Sequence, residues 1–169
     1  MNLRPSNLDD IIGQQKAKER LKISIAACQE SKQVLKHVLL SGPFGTGKTC
    51  ICESIAHELN VPIETINGAN LRSIKTLLPA LSRITQGSIL FCDEIHRCSP
   101  LVQDYLLTVI EQFKYTLGKE NNGLCIDLPE FTFIGATTNI GRLTTPLVSR
   151  FTYNISLEPY SVSEISQII

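Results

Sequence analysis

Two patterns alternate along this chain. Short runs of consecutive apolar residues signal buried strands, and stretches with apolar residues every three or four positions signal helices. The spacing predicts a helix over residues 9–29, with Ala17, Leu21, Ile25 and Cys28 on one face and Lys16, Lys18, Arg20 and Lys22 mostly off it. His37 to Ser41 reads as a buried strand running into a glycine-rich loop, Gly42 to Thr49. A helix follows to about Asn60, before Pro62, and Val61 to Ile66 reads as the next strand. A helix around residues 70–86 contains Pro79, which predicts a kink or break there. Ser88 to Cys92 is an almost purely apolar strand ending at Asp93 and Glu94. Ser99 then caps a helix with Pro100 at its first position, and Leu101, Tyr105, Leu106, Val109 and Phe113 give helical spacing.

Residues 114–128 change character. Two partly apolar arms, Lys114 to Leu117 and Leu124 to Leu128, flank a polar turn and predict a hairpin. Phe131 to Ala136 and Asn154 to Leu157 are further strands, and Ser161 opens a last helix. The alternation of strands and helices predicts an α/β fold with a mainly parallel sheet.

The chain has 169 residues, 43% of them apolar, which suits one domain with a real core. Its 16 basic and 16 acidic residues cancel, which argues against a polybasic nucleic-acid arm. No apolar run approaches the ~18 residues of a membrane span, and the first residues carry no signal-peptide core. The expected compartment is therefore the cytoplasm, with no membrane partner. The six cysteines form no C-x-x-C pair, so reduced thiols are expected rather than zinc ligands.

The chemistry concentrates at three places. Gly42-Pro43-Phe44-Gly45-Thr46-Gly47-Lys48-Thr49 matches G-x-x-x-x-G-K-T, the P-loop. Glycines such as Gly45 and Gly47 let successive N–H groups converge on phosphate oxygens, and the following helix aims its positive end at the same anion. Lys48 adds a point charge, and the Thr49 hydroxyl can ligate Mg²⁺. Asp93 and Glu94 end an apolar strand; a strand beside the P-loop strand would bring Asp93 to the metal and let Glu94 polarise a water for in-line attack. Thr138 or Asn139, at the end of the next strand, could bond the γ-phosphate or that water. Arg150 follows a proline-marked segment and could serve as a finger on a neighbour's nucleotide.

Taken together, Leu3-Arg4-Pro5, Leu8 with Ile12-Gly13-Gln14, the P-loop, Leu90 to Arg97, Asp127 to Thr138 and Leu157 to Tyr160 resemble the RuvB family. That family comprises Holliday-junction branch-migration motors of the AAA+ ATPase class. The resemblance implies a P-loop NTPase fold: an AAA+ large domain over residues 1–158, with helices flanking a parallel sheet and an inserted hairpin. Residues 159–169 would begin a lid domain. It implies ATP and Mg²⁺ as ligands. Leu3, Arg4 and Ile12 would line the adenine pocket, and Gly45, Gly47, Lys48, Thr49 and Cys50 would hold phosphates. Asp93 would support the metal and Glu94 the attacking water; Thr138 would sense the γ-phosphate. Arg150 would reach an adjacent subunit's site, Tyr160 would touch nucleotide, and Glu111, Gln112 and Phe113 fall where the family contacts it.

The same resemblance implies a hexameric ring acting on four-way DNA junctions, with a RuvA-like partner docking on hairpin 114–128. The departures are local. Phe44, Thr46 and Cys50 replace a proline, a leucine and a threonine, and Asn139 stands at an arginine position. Val148 and Ser149 replace an Arg-Asp pair, and the hairpin is shorter at its tip. The sequence ends at Ile169, inside what would be the first lid helix, so the expectation is ATP binding with slow hydrolysis and no junction migration by this chain alone. Three other readings compete: an ATP-binding ring module without turnover, a clamp-loader relative, and a helicase for which Asp93-Glu94-Ile95-His96 would be the motif.

Overall fold

A computed structural model of the chain describes residues 5–118 and 123–168. Five strands form one parallel sheet: β1 (Val38–Ser41), β2 (Ile63–Asn67), β3 (Ile89–Asp93), β6 (Thr132–Thr137) and β7 (Tyr153–Ser156). Their order is β2-β3-β6-β1-β7, with all neighbours parallel. The expectation that the Asp93 strand adjoins the P-loop strand is therefore corrected: β6 lies between β1 and β3. A chain that crosses over through long helical connections need not place its third strand beside its first.

Every central strand is buried on both faces, and alternate residues feed two cores. Val38, Leu40, Ile89, Phe91, Ile134 and Ala136 join one core with residues of α1 (Gln15–Ser31) and α2 (Lys48–Leu59). Leu39, Leu90, Cys92 and Phe133 join the other with α3 (Ile74–Leu81) and α4 (Pro100–Gln112). On that second face Gly135 leaves room for Phe151: a Cβ there would stand 3.1 Å from its ring.

Three predicted helices change shape. Residues 9–29 are not continuous: a 3₁₀ turn at Leu8–Asp10 precedes α1, and Gly13 (φ 68°) and Gln14 (φ 54°) are left-handed between them. The 70–86 helix shrinks to α3, which ends two residues after Pro79. A proline without a donor and with a ring against the preceding turn explains so short a helix. In α4, Ser99 caps the helix as expected, accepting the Val102 N–H, but Leu101 is exposed. The buried face is Val102, Gln103, Leu106, Val109 and Ile110.

The hairpin forms as β4 (Lys114–Leu117) and β5 (Leu124–Asp127), antiparallel with Lys114 opposite Asp127. The Tyr105 hydroxyl pins it to α4, donating to the Thr116 carbonyl at 3.0 Å and accepting the Thr116 N–H at 2.9 Å. The expected short tip falls on residues 119–122, outside the described residues. A short helix that the apolar spacing did not reveal, α5 (Thr145–Ser149), precedes β7, and α6 (Val162–Ile168) follows it. No helix among the described residues is long and apolar enough to cross a membrane.

Candidate nucleotide site

The carboxyl ends of β1, β3 and β6 open onto one cavity of about 390 Å³. The β1–α2 loop supplies Gly45, Gly47, Lys48, Thr49 and Cys50; the end of β3 supplies Asp93 and Glu94; the end of β6 supplies Thr138. Seven of the eight phosphate- and metal-site candidates come from two distant stretches of sequence, and the parallel sheet brings them together. Thr138, the eighth, is half-buried at the rim, whereas Thr137 is buried and Asn139 exposed.

The loop is curled by its glycines. Gly45 (φ 75°) and Gly47 (φ 85°) adopt left-handed backbone, which other residues reach only with strain. Gly47 caps α2, so the free N–H groups of that helix start at the cavity. A Cβ on Gly42 would lie 2.6 Å from the Leu157 carbonyl, so the loop packs directly on the chain after β7.

Lys48 is only 9% exposed. Its ammonium donates to the carbonyls of Gly42 (2.9 Å) and Pro43 (2.7 Å). Burial pushes it below the usual lysine range, and the carboxylates of Asp93 and Glu94 pull it back up. A buried ammonium whose close partners are neutral carbonyls is short of countercharge. That fits a phosphate in the cavity. A magnesium ion fits too, because Mg²⁺ usually takes one or two protein oxygens and completes its shell with phosphates and water. Thr49 and Asp93 are among the side-chain oxygens that line this cavity.

A second cavity of about 690 Å³ continues from the first, sharing Gly45, Gly47 and Cys50. Ile11, Ile12, Ile165, Ile168 and Tyr160 give it an apolar lining suited to a base. Tyr160 reaches over the loop; a Cβ on Gly47 would come within 2.8 Å of its hydroxyl. Leu3 and Arg4 lie outside the described residues.

Gln14 was not among the sequence candidates, yet it organises this cleft. Its side chain donates to the Glu158 carbonyl at 2.7 Å and accepts the Glu158 N–H at 3.1 Å. It thereby ties the start of α1 to the segment carrying Tyr160. The Gly13-Gln14 break after two isoleucines was the signal available.

Also missed was a link between the β3 and β6 ends. Thr137 Oγ1 lies 3.0 Å from His96 Nδ1 and accepts the Asn139 N–H at 3.0 Å. Both Thr137 and Thr138 line the cavity, but the Thr137 hydroxyl is engaged in this link, and Thr138 is the more exposed of the two.

Four candidates stand elsewhere. Glu111 and Gln112 are exposed at the end of α4 and line neither cavity. Phe113 packs edge-on against Phe131, 5.5 Å between ring centres, and beside His37. The last turn of α4 therefore packs against His37 and Phe131 and lines neither cavity of its own chain, so any nucleotide these three meet would be a neighbouring copy's. Arg150, at the end of α5, pairs with Glu111 at 2.8 Å. It too lines neither cavity of its own chain.

Comparison with known proteins agrees with this geometry. Residues 3–157 match the family model described as "Holliday junction DNA helicase RuvB P-loop domain". The Holliday junction branch migration complex subunit RuvB of a Campylobacter jejuni strain is 39% identical over 172 residues, covering 99% of this chain and 51% of the relative. The same subunit from Staphylococcus haemolyticus is 41% identical over 173 residues, covering 100% and 52%. The solved Thermotoga maritima RuvB Holliday junction branch migration motor superposes with a TM-score of 0.86 at 37% identity, covering 98% of this chain and 52% of that one. The chain thus spans about half the length of the relatives it matches.

Proposed function

Because the chain belongs to the RuvB P-loop domain family, we propose that it binds ATP with Mg²⁺ across the two joined cavities and hydrolyses it to ADP and phosphate. The observation that carries this reading is the convergence of a buried, under-neutralised Lys48 with Asp93, Glu94 and Thr138 on one cavity at the carboxyl ends of parallel strands. That is where open α/β sheets bind ligands. The base would lie against Ile12 and Tyr160. The phosphates would lie along the loop amides, with Lys48 on the β- and γ-oxygens.

Bound at Thr49 and Asp93, magnesium would neutralise charge on the β- and γ-phosphates. Glu94 would orient the attacking water and take its proton, and Thr138 would bond the γ-phosphate. Arg150 would complete a neighbouring copy's site, so turnover would depend on assembly; a ring of six is the family form. Residues 1–158 would be the ATPase domain and 159–169 the start of a lid that closes over the base, as the Ile165 and Ile168 contacts suggest.

In the wider setting, the reading is a motor core for branch migration of four-way DNA junctions in the bacterial cytoplasm. The hairpin would dock a RuvA-like protein; β5 offers it the exposed Leu124. Glu94→Gln tests the central claim. Affinity for Mg·ATP should stay within a few-fold while phosphate release falls at least ~100-fold. Equal release by the two proteins would leave a nucleotide-binding module without turnover.

A further inference from the structure

Among the described residues lining the phosphate cavity, Glu94 is the one non-glycine with left-handed backbone, φ 48° and ψ 43°. An L-residue held there costs on the order of 1 kcal/mol, so neighbouring structure must fix it. Three contacts do so. The Glu94 N–H donates to Asp93 Oδ1 at 2.9 Å. Its carbonyl accepts the Arg97 N–H at 2.8 Å. Its carboxylate accepts from Arg97 Nη1, also at 2.8 Å.

The same carbonyl lies against Gly68. Strands β2 and β3 are in parallel register, with Asn67 beside Asp93, so the turn after β2 sits alongside the turn that carries Glu94. The Asn67 side chain caps its own turn by accepting the Ala69 N–H at 2.9 Å. A Cβ on Gly68 would stand 2.3 Å from the Glu94 carbonyl oxygen and 2.9 Å from its carbon. Those are main-chain atoms, which cannot swing aside as a side chain would. The backbone of Gly68 is not left-handed, so glycine is needed here for space rather than for conformation.

We infer that Gly68 and Arg97 are positioning residues for hydrolysis: the bare backbone of Gly68 sets where the Glu94 main chain lies, and Arg97 sets where its carboxylate points. This deepens the ATPase reading and rests on it. Neither residue lines the phosphate cavity, so neither is needed to hold the nucleotide. A shift of about 1 Å in a group that orients the water costs up to ~100-fold in rate.

The test measures saturating phosphate release, Mg·AMP-PNP affinity and amide exchange for the wild-type chain, Gly68→Ala, Arg97→Ala, Arg97→Lys and Glu94→Gln. Release should fall ~10-fold or more in Gly68→Ala and ~5-fold in Arg97→Ala, with affinity within about twofold. Arg97→Lys, which keeps the charge, should recover most of the loss. Exchange at the Arg97 and Cys98 amides should quicken in Gly68→Ala, while β6 amides stay as protected as before. If Gly68→Ala does not fold, the exposed Arg97 pair decides. Rates that fall only in step with affinity would overturn the inference as general damage. Unchanged rates in Gly68→Ala and Arg97→Ala beside an active wild type would overturn it alone. A wild type no faster than Glu94→Gln would remove the hydrolysis reading and the inference with it.

Discussion

The phosphate cavity and the corner where α4 meets α5 both present a cation, and they hold it in opposite ways. Lys48 is buried and fixed by two carbonyls of its own loop. Arg150 is about half exposed, and its partner Glu111 is exposed as well. Solvent screens such a pair, so it contributes little to folding and can be exchanged at little cost. The first arrangement is finished within one chain and waits only for an anion. The second faces outward, which suits a side chain whose target lies on another copy. Substitutions should therefore split cleanly between the two regions.

The largest expected effect is at the outward corner. Arg150→Ala should leave Mg·ATP affinity within twofold while hydrolysis in the assembled protein drops by ~10³-fold, the scale of a transferred arginine. Mixing Arg150→Ala with Glu94→Gln should restore part of the rate, since some interfaces would then pair an intact Glu94 with an intact Arg150. A rate that depends on Arg150 yet is independent of protein concentration would break the comparison, because the arginine would then be acting on its own chain. Lys48→Ala should do the reverse at the cavity. Affinity for Mg·ATP should fall ~100-fold by titration calorimetry, the cost of losing a partly buried charge on phosphate. Stability should hold or rise, because the removed ammonium was short of countercharge.

The cavity was legible in the sequence and the corner was only half so, for a physical reason. The P-loop and the Asp93-Glu94 strand end are contiguous stretches whose spacing encodes backbone geometry directly. A parallel sheet, whatever its strand order, delivers strand ends to one edge. That is why the wrong neighbour for β3 did not spoil the site. The corner depends on tertiary placement. Glu111, Gln112 and Phe113 sit on a predicted helix, but which way its last turn points is set by packing against Phe131 and His37, and no local pattern reports that. The same limit hid Gln14 and Gly68. Each acts through a residue far away in sequence, Glu158 for one and Glu94 for the other. Gly68 shows no positive φ to advertise it.

A weaker substitution sharpens the account of the corner. Glu111→Gln removes the countercharge of Arg150 without touching the cavity. Because both partners are exposed, stability should change by less than ~1 kcal/mol, and nucleotide affinity should not change. Hydrolysis by the assembly should shift only a few-fold, through the orientation of Arg150. A loss as large as that of Arg150→Ala would mean that Glu111 itself touches the neighbour's nucleotide.

The smallest effect concerns what anchors the corner to the sheet. His37 precedes β1 and spans the two regions: Nε2 donates to the Ile110 carbonyl at 3.0 Å, and Nδ1 accepts the Phe133 N–H at 3.0 Å. Those partners require a neutral ring with its proton on Nε2. Burial holds this imidazole below the usual histidine range; the Ile110 carbonyl opposes that shift and Lys36 reinforces it. The sign follows from proton counting. Below about pH 6.5 the unfolded chain takes up a proton that the folded chain resists, so stability falls as pH drops through 6.5 and levels off once the folded ring titrates. The protonated ring would abandon the Phe133 N–H, a loss on the order of 1 kcal/mol for one unpaired main-chain donor. Denaturant midpoints between pH 7.5 and 5 should therefore slope more steeply in the wild type than in His37→Gln. His96, also held below its usual range chiefly by burial, adds a slope of the same sign that both proteins share. Because Ile110 adjoins Glu111, the acid-induced loosening should appear first as faster amide exchange at the end of α4, with the P-loop amides unaffected. Parallel slopes in the two proteins would show that the corner is anchored by Phe113 and Phe131 alone.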